Sequence, residues 1–308
     1  MNKKVVFRQL GRGDIPLLTC LFNSLFTVPK PEAFFLWESF EHISPVFIMG
    51  AFYGDELIGT FGIQKRTLEN GLVCGQAHWP AVNSMWQGKS IFSDLTRIVI
   101  SQFGELDLVF NFFPARAKGA VEKSLGMKMF DTTEMVLSSP DEFENPGVMI
   151  SRASAHTTFR RIERRKKNIF MFKNTQEYRS WRYARHPFYV YEIVEVDTGE
   201  YAVIKNFIDP VTKDTYGDIV DIECDHSDQE KIKKLILGAC WRLRAQGMAN
   251  LTTWAMPNTK LREVVEEIGF SEGERGKYYF GLKVLNTQHD YLYDFSKWRL
   301  QQCDSQKY

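Results

Sequence analysis

Cysteine is scarce and scattered in this sequence: Cys20, Cys74, Cys224, Cys240 and Cys303 are all there are in 308 residues, none in C-x-x-C spacing. That pattern signals neither a zinc centre nor a disulfide framework, so the thiols read as reduced side chains of a cytoplasmic protein and no metal is expected. An excess of one charge is missing too. Lys and Arg number 39 against 38 Asp and Glu, a net charge of +1, which excludes a surface built wholly for nucleic acid, DNA included, and leaves any polyanion site to be local. No apolar run approaches the ~18 residues of a membrane span. The opening M-N-K-K-V-V-F is charged and lacks the apolar core of a signal peptide. A soluble cytoplasmic protein without a membrane span is expected.

Core material, by contrast, is ample. The chain is 44% hydrophobic and 14% aromatic, and its length suits two domains of about 150 residues each. Residues 5–9 read as a strand and 15–26 as a helix with apolar residues at helical spacing, followed by Pro29 and Pro31. A second, aromatic helix falls at 33–40. Strands at 46–53 and 57–65 flank the hairpin signal Gly54-Asp55, and a turn at 69–71 leads to a third antiparallel strand at 72–82. Then come a helix at 91–103, a buried strand at 106–112, a helix at 114–125 closed by Gly126, and a strand at 129–138.

Between 139 and 167 periodicity fails and residues 160–167, R-R-I-E-R-R-K-K, are strongly basic. Such a run reads either as a solvated face or linker or as a local polyanion contact. The second half then repeats the order of the first: a hairpin at 189–196 and 200–207 about Thr198-Gly199, a strand at 219–224, a long amphipathic helix at 228–246, a buried strand at 251–256, a helix at 259–268 closed by Gly269, and a last strand at 277–284. A duplicated architecture is the simplest account. The expected class is α/β with mixed sheets, as two tandem lobes, each a mostly antiparallel central sheet flanked by helices. Their expected bounds are 1–145 and 176–308, with a basic linker region at 146–175.

The most informative stretch is 81–92, A-V-N-S-M-W-Q-G-K-S-I-F, a strand end running through a tight turn into a helix. Such a turn leaves backbone N–H groups pointing outward at the positive end of a helix dipole, which suits a phosphate or pyrophosphate. The matching junction in the second half, C-D-H-S-D-Q-E-K at 224–231, carries Asp225, Asp228 and Glu230. Those carboxylates would repel such an anion, so one lobe alone is expected to bind it.

Three segments, F-Y-G-D-E-L-I-G-T-F-G at 52–62, V-N-S-M-W-Q-G-K-S-I-F at 82–92 and S-L-G-M at 124–127, resemble the GNAT superfamily of acyl-CoA-dependent N-acyltransferases. The second is similar to that family's run of Val, spacer, aromatic and Arg/Gln-x-x-Gly-x-Gly/Ala, with Gln87 at its first position and Gly88 and Ser90 within the loop. In the second half, A-M-P-N-T-K-L and E-E-I-G-F also resemble the fold. The resemblance implies a tandem GNAT architecture with two GNAT-like lobes and one cofactor site. Acyl-coenzyme A would be the co-substrate, lying against Val82, Trp86, Gln87, Gly88, Lys89, Ser90, Ile91 and Phe92. Further segments, W-R-Y at 181–183 with His186-Pro187 and Tyr191, and W-R-L at 298–300 with Asp304-Ser305, look like those of tandem GNAT enzymes that acylate amino sugars carried on nucleotides. The implied acceptor is therefore a nucleotide-linked amino sugar, a surface polysaccharide precursor, held between the lobes of a monomer or homodimer. An aminoacyl or protein N-acyltransferase, or a non-catalytic GNAT-fold binding module, are the alternatives.

An amine attacking a thioester needs a held acyl group, a polarised carbonyl, a route for its proton and one for the departing thiolate. The resemblance implies that backbone N–H near Val82 polarises the carbonyl. The tyrosine by which many members protonate the thiolate is replaced here by Glu122. His78 is the candidate base by its near-neutral pKa, the alternative being a ring packed beside Trp79. Asn83 could orient the amine or a water. For the acceptor the candidates are Trp37, Trp79, Trp181, Trp254, Arg182 with its planar fork for a diphosphate, and Asp221. Asp221 shares a strand face with Glu223. Those two acids could bind an ammonium, or could simply be exposed.

Overall fold

The computed structural model describes residues 4–26, 28–44, 46–103, 105–138, 142–162, 169–197, 199–273 and 278–306. Strand β1 (Val5–Gln9) leads through a short turn into helix α1 (Ile15–Leu25), whose second residue is Pro16 and which stops where Phe26 turns extended ahead of Pro29. Helix α2 (Glu32–Phe40) follows, then a meander of β2 (Val46–Tyr53), β3 (Glu56–Thr67) and β4 (Val73–Val82). Gly54 supplies the left-handed residue (φ 65°) that the tight β2–β3 turn demands. Helix α3 (Ile91–Gln102), β5 (Leu108–Pro114), α4 (Lys118–Leu125), β6 (Lys128–Asp131) and β7 (Glu134–Leu137) complete the first half.

The second half opens with β8 (Met149–Arg152), a strand that no periodicity announced, and α5 (Gln176–Arg179), which continues as a wider π turn over Ser180–Ala184. Then come β9 (Tyr191–Glu195), β10 (Tyr201–Ile208), β11 (Thr215–Glu223), α6 (Gln229–Ala245), β12 (Asn250–Trp254), α7 (Lys260–Ile268), the short β13 (Ser271–Glu272) and β14 (Tyr278–Val284). No described helix is long and apolar enough to cross a membrane. Most of the basic run, residues 163–167, and Thr198 of the Thr198-Gly199 turn lie outside the described residues.

Two seven-stranded sheets result, in the orders β1-β2-β3-β4-β5-β14-β6 and β13-β7-β12-β11-β10-β9-β8. The single strand expected at 129–138 is two strands, and they go to different sheets. The break is local chemistry: Asp131 Oδ1 accepts from the Thr133 N–H at 2.9 Å, and Thr133 is left-handed (φ 49°), so the chain turns where apolar alternation alone would run on. The last strand, β14, likewise joins the first sheet. The compact units accordingly do not follow one cut in the chain: one comprises Met1–Asn111, Gly119–Met129 and Gly281–Tyr293, the other Phe112–Lys118, Phe130–Phe280 and Asp294–Tyr308.

Each unit has its own core. In the first, Leu18, Leu21 and Phe22 of α1 and Phe35 of α2 pack on Ile48, Phe52 and Leu57 of the meander. In the second, Ile232, Leu235, Ile236, Ala239 and Leu243 of α6 lie on Ala202, Ile204, Ile219 and Ile222, all nearly or wholly buried. Burying a Leu or Ile fully is worth about 1.5–3 kcal/mol.

The two sheets share a detail that fixes their geometry. In each, the third meander strand pairs in parallel with the strand after the long helix over three residue pairs: Cys74–Leu108 to Gln76–Phe110 in one, Tyr216–Asn250 to Asp218–Thr252 in the other. The middle residue on the meander strand is glycine in both, and a Cβ there would come within 2.8 Å of Ile63 and Leu106 at Gly75, or of Leu243 at Gly217. Gly75→Ala and Gly217→Ala are each expected to destabilise the protein by about 1–3 kcal/mol through overpacking, read as a lower urea midpoint; unchanged midpoints would show that the leucines yield without cost.

Candidate functional site

The site begins where β4 loses its partner. Among the described residues, pairing of β4 with β5 ends at Gln76–Phe110, although β4 runs on to Val82. On its other side β4 stays paired with β3, but with one extra residue between His78, opposite Gly62, and Ala81, opposite Thr60. Trp79 sits in this bulge with a left-handed backbone (φ 46°), a conformation that costs a bulky residue about 1–3 kcal/mol and persists only where surroundings enforce it. The surroundings here are aromatic. The Trp79 ring lies 4.7 Å from Phe22 and from Phe35 and 5.8 Å from Phe34, which in turn lies 5.8 Å from Trp37. Its indole N–H donates to Ser39 Oγ at 2.9 Å. Trp37 is buried, whereas Trp79 keeps part of its surface exposed.

His78 stands beside this cluster with no exposed surface, its Nε2 3.4 Å from the same Ser39 hydroxyl and its ring 5.2 Å from Trp79. Burial, with a smaller contribution from His42, holds its pKa well below the usual value, so the ring is neutral. Because Ser39 Oγ already accepts from Trp79, its own proton is available to His78 Nε2. Imidazole, hydroxyl and indole thus form one chain that pins the bulge.

Beyond Val82 the turn is held by its own side chains. Asn83 Oδ1 accepts from the Met85 N–H at 3.0 Å and its Nδ2 donates to Glu56 at 3.3 Å, while Gln87 Nε2 donates to the Val82 carbonyl at 3.3 Å. The Trp86 ring lies 4.9 Å from Tyr53, and the Lys89 ammonium sits 4.7 Å from its centroid. Gly88 is left-handed (φ 77°) with nothing within 4 Å of where a Cβ would stand. Ser90, also left-handed (φ 60°), occupies the N-cap of α3 yet makes no capping bond; its hydroxyl donates to Asp94 Oδ2 at 3.2 Å, and Asp94 also binds Arg97. The first N–H groups of α3 therefore get no side-chain cap from Ser90, and Gly88 adds no Cβ to the loop before them. Ile91 is buried under the turn, and Phe92 meets Phe61 edge-on at 5.6 Å. A phosphate-bearing chain running along the unpaired edge of β4 fits these residues. Glu122, at the position where the resemblance would place a tyrosine, is exposed on α4.

The corresponding junction of the second unit is closed. Asp228 caps α6, accepting from the Lys231 N–H at 3.1 Å, and Asp225 binds Ser227. Asp221 and Glu223 are not exposed; they are 0% and 2% accessible. Arg179, which sequence reading overlooked, donates to Asp221 Oδ2 at 3.1 Å and to Glu223 Oε2. Asp221 also accepts from Tyr183 at 2.9 Å and Gln301 at 3.0 Å, and Glu223 from the Ile162 N–H at 3.0 Å. Burial works against charge on Arg179, but the two carboxylates outweigh it and its pKa is raised. Trp181, Arg182 and Trp254 are buried in the same unit, and Arg182 donates to the Ser305 carbonyl at 2.7 Å. The six acceptor candidates thus divide between the units: Trp37 and Trp79 in the first, Trp181, Arg182, Asp221 and Trp254 in the second. Among the described residues no group of three or more His, Cys, Asp or Glu could hold a metal ion.

A three-strand meander whose bulged last strand parts from its parallel neighbour, followed by a helix whose start is open in one lobe and capped in the other, makes a recognisable plan. Solved structures superpose on the fold over 92% of this chain. A GCN5-related N-acetyltransferase from Kribbella flavida superposes with a TM-score of 0.60 at 12% identity, over 72% of its own length. A tandem GNAT protein from the clavulanic acid biosynthesis pathway gives 0.58 at 12%, over 99%. The fold is that of tandem GNAT lobes. A GCN5-related glucosamine N-acetyltransferase region of a fungal multi-domain GH3 beta-N-acetylglucosaminidase superposes at 0.57 and 11% identity, with only 38% of that longer chain covered. No protein-family model matches the sequence, and no curated protein does.

The neutral, buried His78 of the first GNAT-like lobe has a thermodynamic signature. Unfolding lets it bind a proton below its usual pKa of 6.5, so it contributes stability above that pH and loses it as pH falls, by at most about 1.4 kcal/mol per unit. Chemical denaturation of wild type and His78→Gln at pH 7.5 and 5.5 should show a shallower acid-side loss in the variant; parallel losses would refute the assignment.

Proposed function

We propose that this protein is an acyl-CoA-dependent N-acyltransferase whose first lobe holds the co-substrate. The observation that carries the reading is that, among the described residues, pairing of β4 with β5 ends at Gln76–Phe110 well before β4 itself does, and that the loop after β4 ends at the uncapped start of α3. The pyrophosphate would meet the loop at Gln87, Gly88, Lys89 and Ser90 and the first turn at Ile91 and Phe92, with Trp86 and Lys89 beside them. The acyl arm would follow the edge back towards Val82. In the reaction the amine nitrogen bonds the acyl carbon, the carbon–sulfur bond breaks, the amine loses a proton and the sulfur leaves as thiolate. A free thiol pKa near ~8.5 makes that departure modest in cost at neutral pH.

Within this scheme Asn83 orients the amine or a water, and His78 acts as a positioning residue: its burial and its bond to Ser39 support a role in setting the Trp79 bulge. His78→Gln is therefore expected to lower kcat while leaving the shape of the pH–rate profile intact. A profile that loses its neutral-range ionisation, with a rate loss of about 10²-fold or more, would instead make His78 the base.

For the acceptor we propose a nucleotide-linked amino sugar. The reading rests on the W-R-Y and W-R-L segments, and one structural neighbour bears the name of a glucosamine N-acetyltransferase. In the first unit Trp79 is the candidate flat face with exposed surface, backed by the buried Trp37 through Phe34; Trp181, Trp254, Arg182 and Asp221 are buried within the second unit. A screen of acyl-CoAs against nucleotide amino sugars, read by mass spectrometry, tests the acceptor class.

The co-substrate site is tested directly by Gly88→Glu, which places a carboxylate in the open loop. Isothermal titration should show acetyl-CoA binding lost in a protein that stays folded, its thermal midpoint lowered by the strain of a side chain at φ 77°. Undiminished affinity would put the co-substrate elsewhere, and no binding to wild type would sink the enzyme reading altogether.

A further inference from the structure

The second lobe repeats the device of the first, and something already fills it. Pairing of β11 with β12 ends at Asp218–Thr252, β11 bulges after Ile219, and its remaining residues run on to Glu223 as the end of β4 does to Val82. Along that freed edge lies the C-terminal segment. Gln301 Oε1 accepts from the Ile222 N–H at 2.6 Å while its Nε2 donates to Asp221 at 3.0 Å. Its neighbour Gln302 reaches the opposite strand, donating to Thr252 Oγ1 at 3.0 Å. One residue thus engages each of the two strands that have parted.

The segment is also fastened along its length. Tyr178 donates to the Cys303 carbonyl at 3.2 Å, Asn174 Nδ2 to Asp304 Oδ1 at 3.2 Å, and Arg182 to the Ser305 carbonyl. Trp298 anchors the start, wholly buried against Phe170, Phe172 and Phe280. Every residue from Leu300 to Ser305 is buried.

We propose that residues 298–305 are the permanent ligand of the second lobe, an amide-bearing chain seated on the strand edge whose counterpart in the first lobe takes the acyl-carrying arm. The chemistry is the same on both sides of the comparison. A side-chain amide presents a carbonyl to a free backbone N–H and an N–H to a neighbouring acceptor, as the amides of an extended acyl-carrier arm would. The lobe is closed twice over, by the tail on its strand edge and by Asp228 capping the helix that follows. It therefore has no exchangeable co-substrate, and the protein binds one equivalent of acyl-CoA. The inference rests on the acyl-CoA reading only for the meaning of the first lobe's edge; the tail's contacts stand apart from it.

The test uses the full chain as wild type, Gly88→Glu and Gln301→Ala/Gln302→Ala. Hydrogen exchange over residues 219–224 should be slow in wild type and accelerate about tenfold or more in the double variant, the effect of losing a bond worth about 1–1.5 kcal/mol, while residues 74–82 are unchanged. Titration with acetyl-CoA should give one equivalent in wild type and none in Gly88→Glu. Unaltered exchange in a folded double variant overturns the proposal, as does a second equivalent that persists in Gly88→Glu. Titrations on wild type and Gly88→Glu decide the matter even if the double variant does not fold. If wild type binds no acetyl-CoA, the reading of the first lobe falls while closure of the second stands.

Discussion

Parallel strands that stay together for only three residue pairs are the constraint on which the rest of this molecule turns. A strand in mid-sheet ordinarily satisfies its backbone on both sides. Here β4 does so only as far as Gln76, and the sheet needs a reason to part. The bulge at Trp79 supplies it, and the bulge needs support in turn, because a left-handed tryptophan backbone is strained. Phe22, Phe34 and Phe35 hold the ring by packing, and Ser39 with His78 holds the indole N–H. The aromatic density of the first two helices, which alone would say no more than core, is thus tied to the point where β4 has parted from β5.

The second lobe meets the same parting of strands with different material. Its edge is lined by Asp221 and Glu223, wholly within the protein, and Arg179 lies against both. Beside the guanidinium, Tyr183 and Gln301 donate to Asp221 and the Ile162 N–H donates to Glu223. Removing one partner of a buried pair generally costs about 3–5 kcal/mol, whereas an apolar replacement of the whole set is often neutral. Arg179 holds the two acids from one side, and Gln301 meets Asp221 and the Ile222 N–H from the other.

Much of this architecture was legible from residue order. Alternation and turn chemistry placed the meander, and the 3.6-residue period placed α3 and α6 within a residue or two, because each is long and one-sided. Three things were not legible, for distinct reasons. Apolar alternation continues across Thr133, so it concealed an Asx turn that sends β6 and β7 to separate sheets. Strand β8 has too few apolar residues to signal itself and exists because β9 offers it an edge. The acids of β11 share a face at i and i+2, which periodicity shows, but their burial depends on a segment some 80 residues later in the chain, which periodicity cannot show. The loop at 81–92 was readable as an anion cradle from its glycine and its position; that Ser90 leaves its helix uncapped, and that Trp79 is left-handed, required coordinates.

The division of strands between sheets bears on how the protein is made. β14 completes the first sheet from residues 278–284, while β7 is contributed to the second from residues 134–137. A ribosome that has finished the first half has therefore delivered a sheet still short of an inner strand, lying between β5 and β6, and holding an extra one that belongs elsewhere. The first lobe must wait for nearly the whole chain, and its β5 edge is exposed to wrong pairing in the meantime. The chain holds two copies of one plan, but the exchange of β7 and β14 means that neither half of the sequence carries a whole sheet.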